Sequence, residues 1–304
     1  LERSGKGRNA LNLKVDVLPI GVPVSFRADN LMTQGDEHLR AVRPDQAYEK
    51  LREAMALGEG KAPTRQVYFN RLFDIMMGLG KYNEAEKECR DLIGAGYAAD
   101  NWIKLGRAVQ MQGRYSEALG AYQNGLAGIG LTDRDLASAV FPLNRPVDRG
   151  VFTAFLCSGE CLFSLGDHQA AEGMFSRAAR VSGPSPWPYL WLGRLYLTQG
   201  RPDEAERVLL EVIRRNDKLP EAFGLLGRVR LDKGRRGEAF VCFGQAIRLG
   251  AQGRASLEPW FVLGRSLDAW AEMKIILEEV LARSPGHEPG RTLLAEVDQR
   301  LGLV

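Results

Sequence analysis

Residues 186–219 read PWPYLWLGRLYLTQGRPDEAERVLLEVIRRNDKL, and residues 220–253 read PEAFGLLGRVRLDKGRRGEAFVCFGQAIRLGAQG. Laid one on the other, they put Gly193 over Gly227, Gly200 over Gly234 and Ala205 over Ala239, each pair 34 residues apart. The same step joins Gly159 to Gly193 and Ala171 to Ala205. A fixed period of this size marks stacked units, none of which can bury its apolar face alone. Each unit reads as two helices. Gly113, Gly166, Gly200 and Gly234 end the first helix, and Pro202-Asp203-Glu204 suits the start of a second, with proline in the first turn and acids at the positive end. Small residues at the glycine and alanine positions let the two helices approach closely.

Four units carry most of the pattern. The unit from about 186 has Tyr189, Leu192, Gly193, Tyr196, Ala205 and Leu209, and that from about 220 has Phe223, Leu226, Gly227, Ala239, Phe243 and Ala246. The unit from about 99 has Trp102, Leu105, Gly106, Ala118 and Tyr122; that from about 152 has Phe155, Gly159, Ala171, Phe175 and Ala178. This arrangement resembles the tetratricopeptide repeat (TPR) family, bacterial-type, over nearly the whole chain. The resemblance implies an all-α fold: a right-handed superhelical solenoid of about seven helical hairpins with a C-terminal capping helix.

Some units depart from the pattern. The unit from about 28 keeps Gly35, Ala47, Leu51 and Ala54 but has His38 where an aromatic is usual. The unit from about 66 has Phe73 where a small residue belongs, which is expected to splay the packing there. In the last unit Leu267-Asp268-Ala269-Trp270-Ala271 replaces the glycine turn, and about three residues are missing before Pro285. The expected divisions are an extended N-terminal arm at 1–27, repeats at 28–127, an insertion at 128–151, repeats at 152–285 and a capping helix at 286–304. Within the arm, Leu11, Leu13, Val15 and Val17 alternate with polar residues like a strand, which is expected to pair with a partner chain or a second copy, to lie along the first hairpin, or to be disordered when alone. The insertion, with a short helix expected after Thr132, is a functional loop or a tolerated surface addition.

The 41 basic and 38 acidic residues leave a formal charge of +3, too balanced to point on its own to nucleic acid or a membrane, though the excess of Arg over Lys leaves room for local basic patches. No apolar run approaches the ~20 residues that span a bilayer. Cys89, Cys157, Cys161 and Cys242 are scattered and read as small core residues in a reducing compartment. His38, His168 and His287 are too dispersed for a metal centre, and no phosphate-cradling, nucleophile-elbow or zinc-protease motif occurs, so neither enzyme activity nor cofactor is expected. The expected compartment is the cytoplasm, or the periplasm if a signal segment once preceded Leu1.

The resemblance places function on the groove formed by the first helix of each hairpin, at positions two, five, nine, twelve and thirteen of the unit. Position nine reads Asp36, Asp74, Arg107, Glu160, Arg194, Arg228 and Arg265, with Leu190, Leu197, Leu231 and Phe261 nearby. Arginines beside apolar anchors suit an acidic peptide segment or a chain carboxylate, unless they pair with acids on neighbouring helices. The asparagine that the family uses at position nine to clamp chaperone tails is absent, which argues against that function. Trp187 reads as packing against the preceding hairpin rather than as a ligand contact. The expected function is thus a protein–protein scaffold or adaptor binding a peptide or protein segment, with self-association through the arm as a further route. The alternative is the regulatory or substrate-docking part of a larger enzyme, such as a glycosyltransferase.

Overall fold

The structure is a computed structural model that describes residues 24–41, 43–57, 62–129, 146–181, 183–251 and 253–303. The strand-like stretch 11–17 and the short helix expected after Thr132 lie outside the described residues. Fifteen helices, and no strand, occur among the described residues. They fall into two compact units, Leu1–Tyr97 and Ala98–Val304. In the first, α1 (Val24–Arg40) packs on α2 (Pro44–Leu57), and α3 (Ala62–Gly78) on α4 (Tyr82–Gly94). The second begins with the hairpins α5 (Ala99–Gln110)/α6 (Tyr115–Gly128) and α7 (Pro146–Ser164)/α8 (His168–Val181). There follow α9 (Trp187–Thr198)/α10 (Pro202–Arg215), α11 (Pro220–Asp232)/α12 (Arg236–Arg248) and α13 (Arg254–Ser266)/α14 (Trp270–Arg283). Helix α15 (Glu288–Arg300) covers α14. The chain is therefore an all-α helical-repeat solenoid. Two helices begin before the expected boundaries, α1 inside the 1–27 arm and α7 inside the 128–151 insertion.

One contact recurs in five hairpins. A Cβ placed on Gly35, Gly106, Gly159, Gly193 or Gly227 would stand 2.5–2.8 Å from the side chain of Leu51, Tyr122, Phe175, Leu209 or Phe243 respectively. Each partner lies 16 residues on, in the facing helix. A large side chain thus rests directly on the bare backbone of the first helix, which sets how closely the pair approaches. The alanines Ala47, Ala118, Ala171, Ala205 and Ala239 are each 0% exposed and admit the first helix from the other side.

The turns are built as the glycines imply. Gly80, Gly113, Gly166, Gly200 and Gly234 all adopt φ between 68° and 82°, the left-handed region that ends a helix. At Gly200 the closure includes Arg201 N–H donating to the Tyr196 carbonyl at 2.8 Å, five residues back. In the shortened last hairpin Asp268 takes this role with φ 55°, and its carboxylate accepts the Trp270 indole N–H at 2.6 Å. The three-residue deletion also moves Met273 into the place of the small alanine, against Gly264.

Successive hairpins are tied at these turns. Arg201 reaches back to Glu172 on α8 at 2.9 Å and lies 4.3 Å from the centre of the Tyr196 ring, whose hydroxyl donates to the same Glu172. One repeat later Arg235 pairs with Glu206 in the same way. These clamps fix the step between hairpins, and so the spacing of the first helices that carry position nine.

Candidate functional site

Position nine falls on the first helix of every hairpin, yet most of its charges are occupied. In the first unit Asp36 pairs with Arg71. In the second, Arg194 pairs with Glu221, the second residue of α11, and Arg265 lies 3.5 Å from Glu296 on α15. The position therefore serves in part as a link to the next helix in the stack. Arg228 is exposed, and among the described residues it has no ion-pair or hydrogen-bond partner.

Arg228 and Arg194 share a cavity of about 450 Å³ on α9 and α11, walled also by Phe163, Leu197 and Leu225. Its charged lining residues are Arg194, Arg228 and Glu221. Arg194 is held at 4.7 Å over the Trp191 ring, which stacks on Phe175 with ring centres 5.6 Å apart. A cation fixed on an aromatic face gives up less freedom when an anion arrives.

Glu160 sits half-buried on α7, where it accepts from Gln110 Nε2 at 2.8 Å and from Trp191. Burial pushes its carboxyl above the ordinary carboxylate range, against the pull of those bonds and of Arg194. Gln110 in turn accepts the Tyr122 hydroxyl at 2.7 Å, so a polar chain runs through α6, α5, α7 and α9. Burial also raises the thiols of Cys157 and Cys161 to about 12, so both are protonated at neutral pH and are weak nucleophiles. No cluster of three metal-binding side chains occurs among the described residues, and no described helix is long and apolar enough to cross a membrane.

Of the groove residues expected from sequence, Arg194, Leu197 and Arg228 are gathered at this cavity. Arg107, Glu160 and Arg265 lie on other helices, and Leu231 is exposed outside the cavity lining. Leu190 and Phe261, expected as anchors on the groove, are only 3% and 6% exposed. They belong to the core, because a bulky side chain at position five fills the space between packed helices. Trp187, expected to pack away, is 45% exposed. Sequence reading missed Glu221, Phe163 and Leu225. Glu221 stands at position two of its unit and Phe163 at position twelve, so both were open to the same positional rule.

Residues 162–229, which include α9 and nearly all of α11, match the sequence profile of the tetratricopeptide repeat. Over this stretch the chain carries tetratricopeptide repeats. Its fold is shared by a tetratricopeptide repeat protein from Parabacteroides merdae, with a TM-score of 0.57, 15% identity and coverage of 90% of this chain and 99% of that one. PilW, a type IV pilus biogenesis factor, matches with a TM-score of 0.59 at 15% identity over 76% of this chain and 96% of its own. The APC/C hetero-tetramer Cut9-Hcn1 matches with a TM-score of 0.52 at 16% identity, over 91% of this chain and 49% of the other. No curated protein matches by sequence.

Proposed function

We propose that this tetratricopeptide-repeat chain is a protein-interaction scaffold that catalyses nothing itself, and that its groove on α9 and α11 receives an acidic segment of a partner protein. The observation that carries the reading is Arg228, an exposed guanidinium without a partner among the described residues, beside an apolar-walled cavity of about 450 Å³. The arginines supply steering and orientation, while Phe163, Leu197 and Leu225 supply apolar contact.

Charge reversal at both Arg194 and Arg228 should abolish binding of a labelled acidic peptide in fluorescence anisotropy while leaving the melting temperature nearly unchanged. Wild-type binding should weaken as salt rises, because exposed ionic contacts are screened over about 8–10 Å at physiological salt. A doubly reversed variant that binds like wild type would remove the groove from consideration.

A further inference from the structure

The cavity holds an unequal set of charges, two guanidinium groups and one carboxylate. Glu221 already lies on Arg194, whereas Arg228, one repeat further along, has no ion-pair or hydrogen-bond partner among the described residues. Glu221 enters the cavity because it follows Pro220 at the start of α11, where a carboxylate also suits the positive helix end. The side chains of Arg194 and Glu221 remain 40% and 38% exposed, so their pairing is weak and open to exchange.

We propose that this groove selects a polyproline-type segment bearing two carboxylates three residues apart, one meeting Arg228 and the other displacing Glu221 from Arg194. The proposal rests on the groove reading above and adds the spacing and the competing carboxylate. Helices α9 and α11 approach each other directly, and packed helices lie about 8–10 Å apart. A polyproline helix has three residues per turn and rises about 3.1 Å per residue, so side chains three apart share a face about 9 Å apart. A flat strand repeats its face every second residue, at about 7 Å, and matches that helix spacing less well. Glu221 then acts as the chain's own occupant of the first subsite and holds back segments that offer only one acid.

The test uses two labelled peptides of one composition with Gly-Ser flanks, one with a Glu-Pro-Pro-Glu core and the other with Glu-Pro-Glu-Pro. On the full chain the first should bind roughly 3- to 10-fold more tightly, the scale of one added charge-assisted contact. Glu221→Gln should tighten the first peptide roughly 2- to 5-fold, the scale of a half-exposed ion pair, with its fold checked by circular dichroism and melting. Arg228→Gln should weaken both peptides. Equal affinities for the two peptides, or a Glu221→Gln variant that binds no more tightly, would overturn the proposal while Arg228→Gln still shows the groove in use. Failure of both peptides to bind wild type would overturn the proposal and the groove reading together.

Discussion

Hairpins α9/α10 and α3/α4 solve one packing problem with the large and small residues exchanged. In α9/α10 the bare backbone of Gly193 receives Leu209. In α3/α4 the equivalent first-helix residue is Phe73, and 16 residues on stands Cys89; they are 1% and 0% exposed. The bulk now comes from the first helix and the gap from the second. The exchange is imperfect, because α3 and α4 keep fewer close backbone approaches than the other early hairpins. Arg65 bridges them instead, to Glu88 at 2.6 Å and Asp91 at 3.2 Å. In α3/α4 the large residue thus stands on the first helix and the small one on the second, both buried.

Phe73→Ala should break the comparison hardest. The ring packs edge-on to Phe69 with centres 5.7 Å apart, and Cys89 is too small to fill the space left behind. A loss of about 3–5 kcal/mol is expected, read by denaturant unfolding followed by circular dichroism. The five tryptophans all lie at 102 or beyond, so their fluorescence reports the second unit and should move less. Phe73→Gly combined with Cys89→Leu should recover part of the loss, since the pair would regain the α9/α10 arrangement. No recovery would mean that the two hairpins are not volume-exchanged versions of one contact.

Gly193→Leu comes next, with an expected loss of about 1–3 kcal/mol from overpacking. Even a Cβ there would stand 2.6 Å from Leu209, which is 0% exposed. Tryptophan fluorescence is the readout. Adding Leu209→Ala should return some stability, and a neutral single variant would place the repeat register wrongly.

The repeat period, the turn glycines and the small residues at the helix–helix contacts were legible in sequence because each depends on spacing alone. Phe73 was legible as a departure, but its compensation by Cys89 was not, since it shows only when residues 16 apart are read as a pair. The arginines at position nine were legible for the same reason. Their partners were not: Glu221 lies 27 residues beyond Arg194 and Glu296 31 beyond Arg265, on the next helices in the stack. Nothing local to an arginine says which acid the stacking brings near. Leu190 and Phe261 misled because a helix position that faces a groove in general can still turn a bulky side chain inward.

The smallest expected effect contrasts two carboxylates in neighbouring hairpins, Glu160 on α7 and Glu211 on α10. Hydrogen bonds from Arg214 and Arg215 hold Glu211 at about 2, below its ordinary 4.5, whereas burial raises Glu160. Glu211 therefore adds stability above about 4.5 that fades as the pH falls toward about 2. Glu160 carries a charge-burial cost at neutral pH, which is relieved as the pH falls through its raised value. Acidification should first lift the melting temperature slightly and then lower it. Glu160→Gln should erase the early rise, and Glu211→Gln should blunt the later fall. The Glu211 side chain is 26% exposed, so solvent screening limits its share to about 0–1 kcal/mol. Arg215, bound to Glu211 at 2.6 Å, also contacts the Ser185 carbonyl at 3.5 Å and the Tyr189 hydroxyl at 3.2 Å. Glu211→Gln should thus speed amide exchange just before α9 at neutral pH, while Glu160→Gln should not. Equal exchange in both variants would make Glu211 a surface pair with no hold on the groove helix.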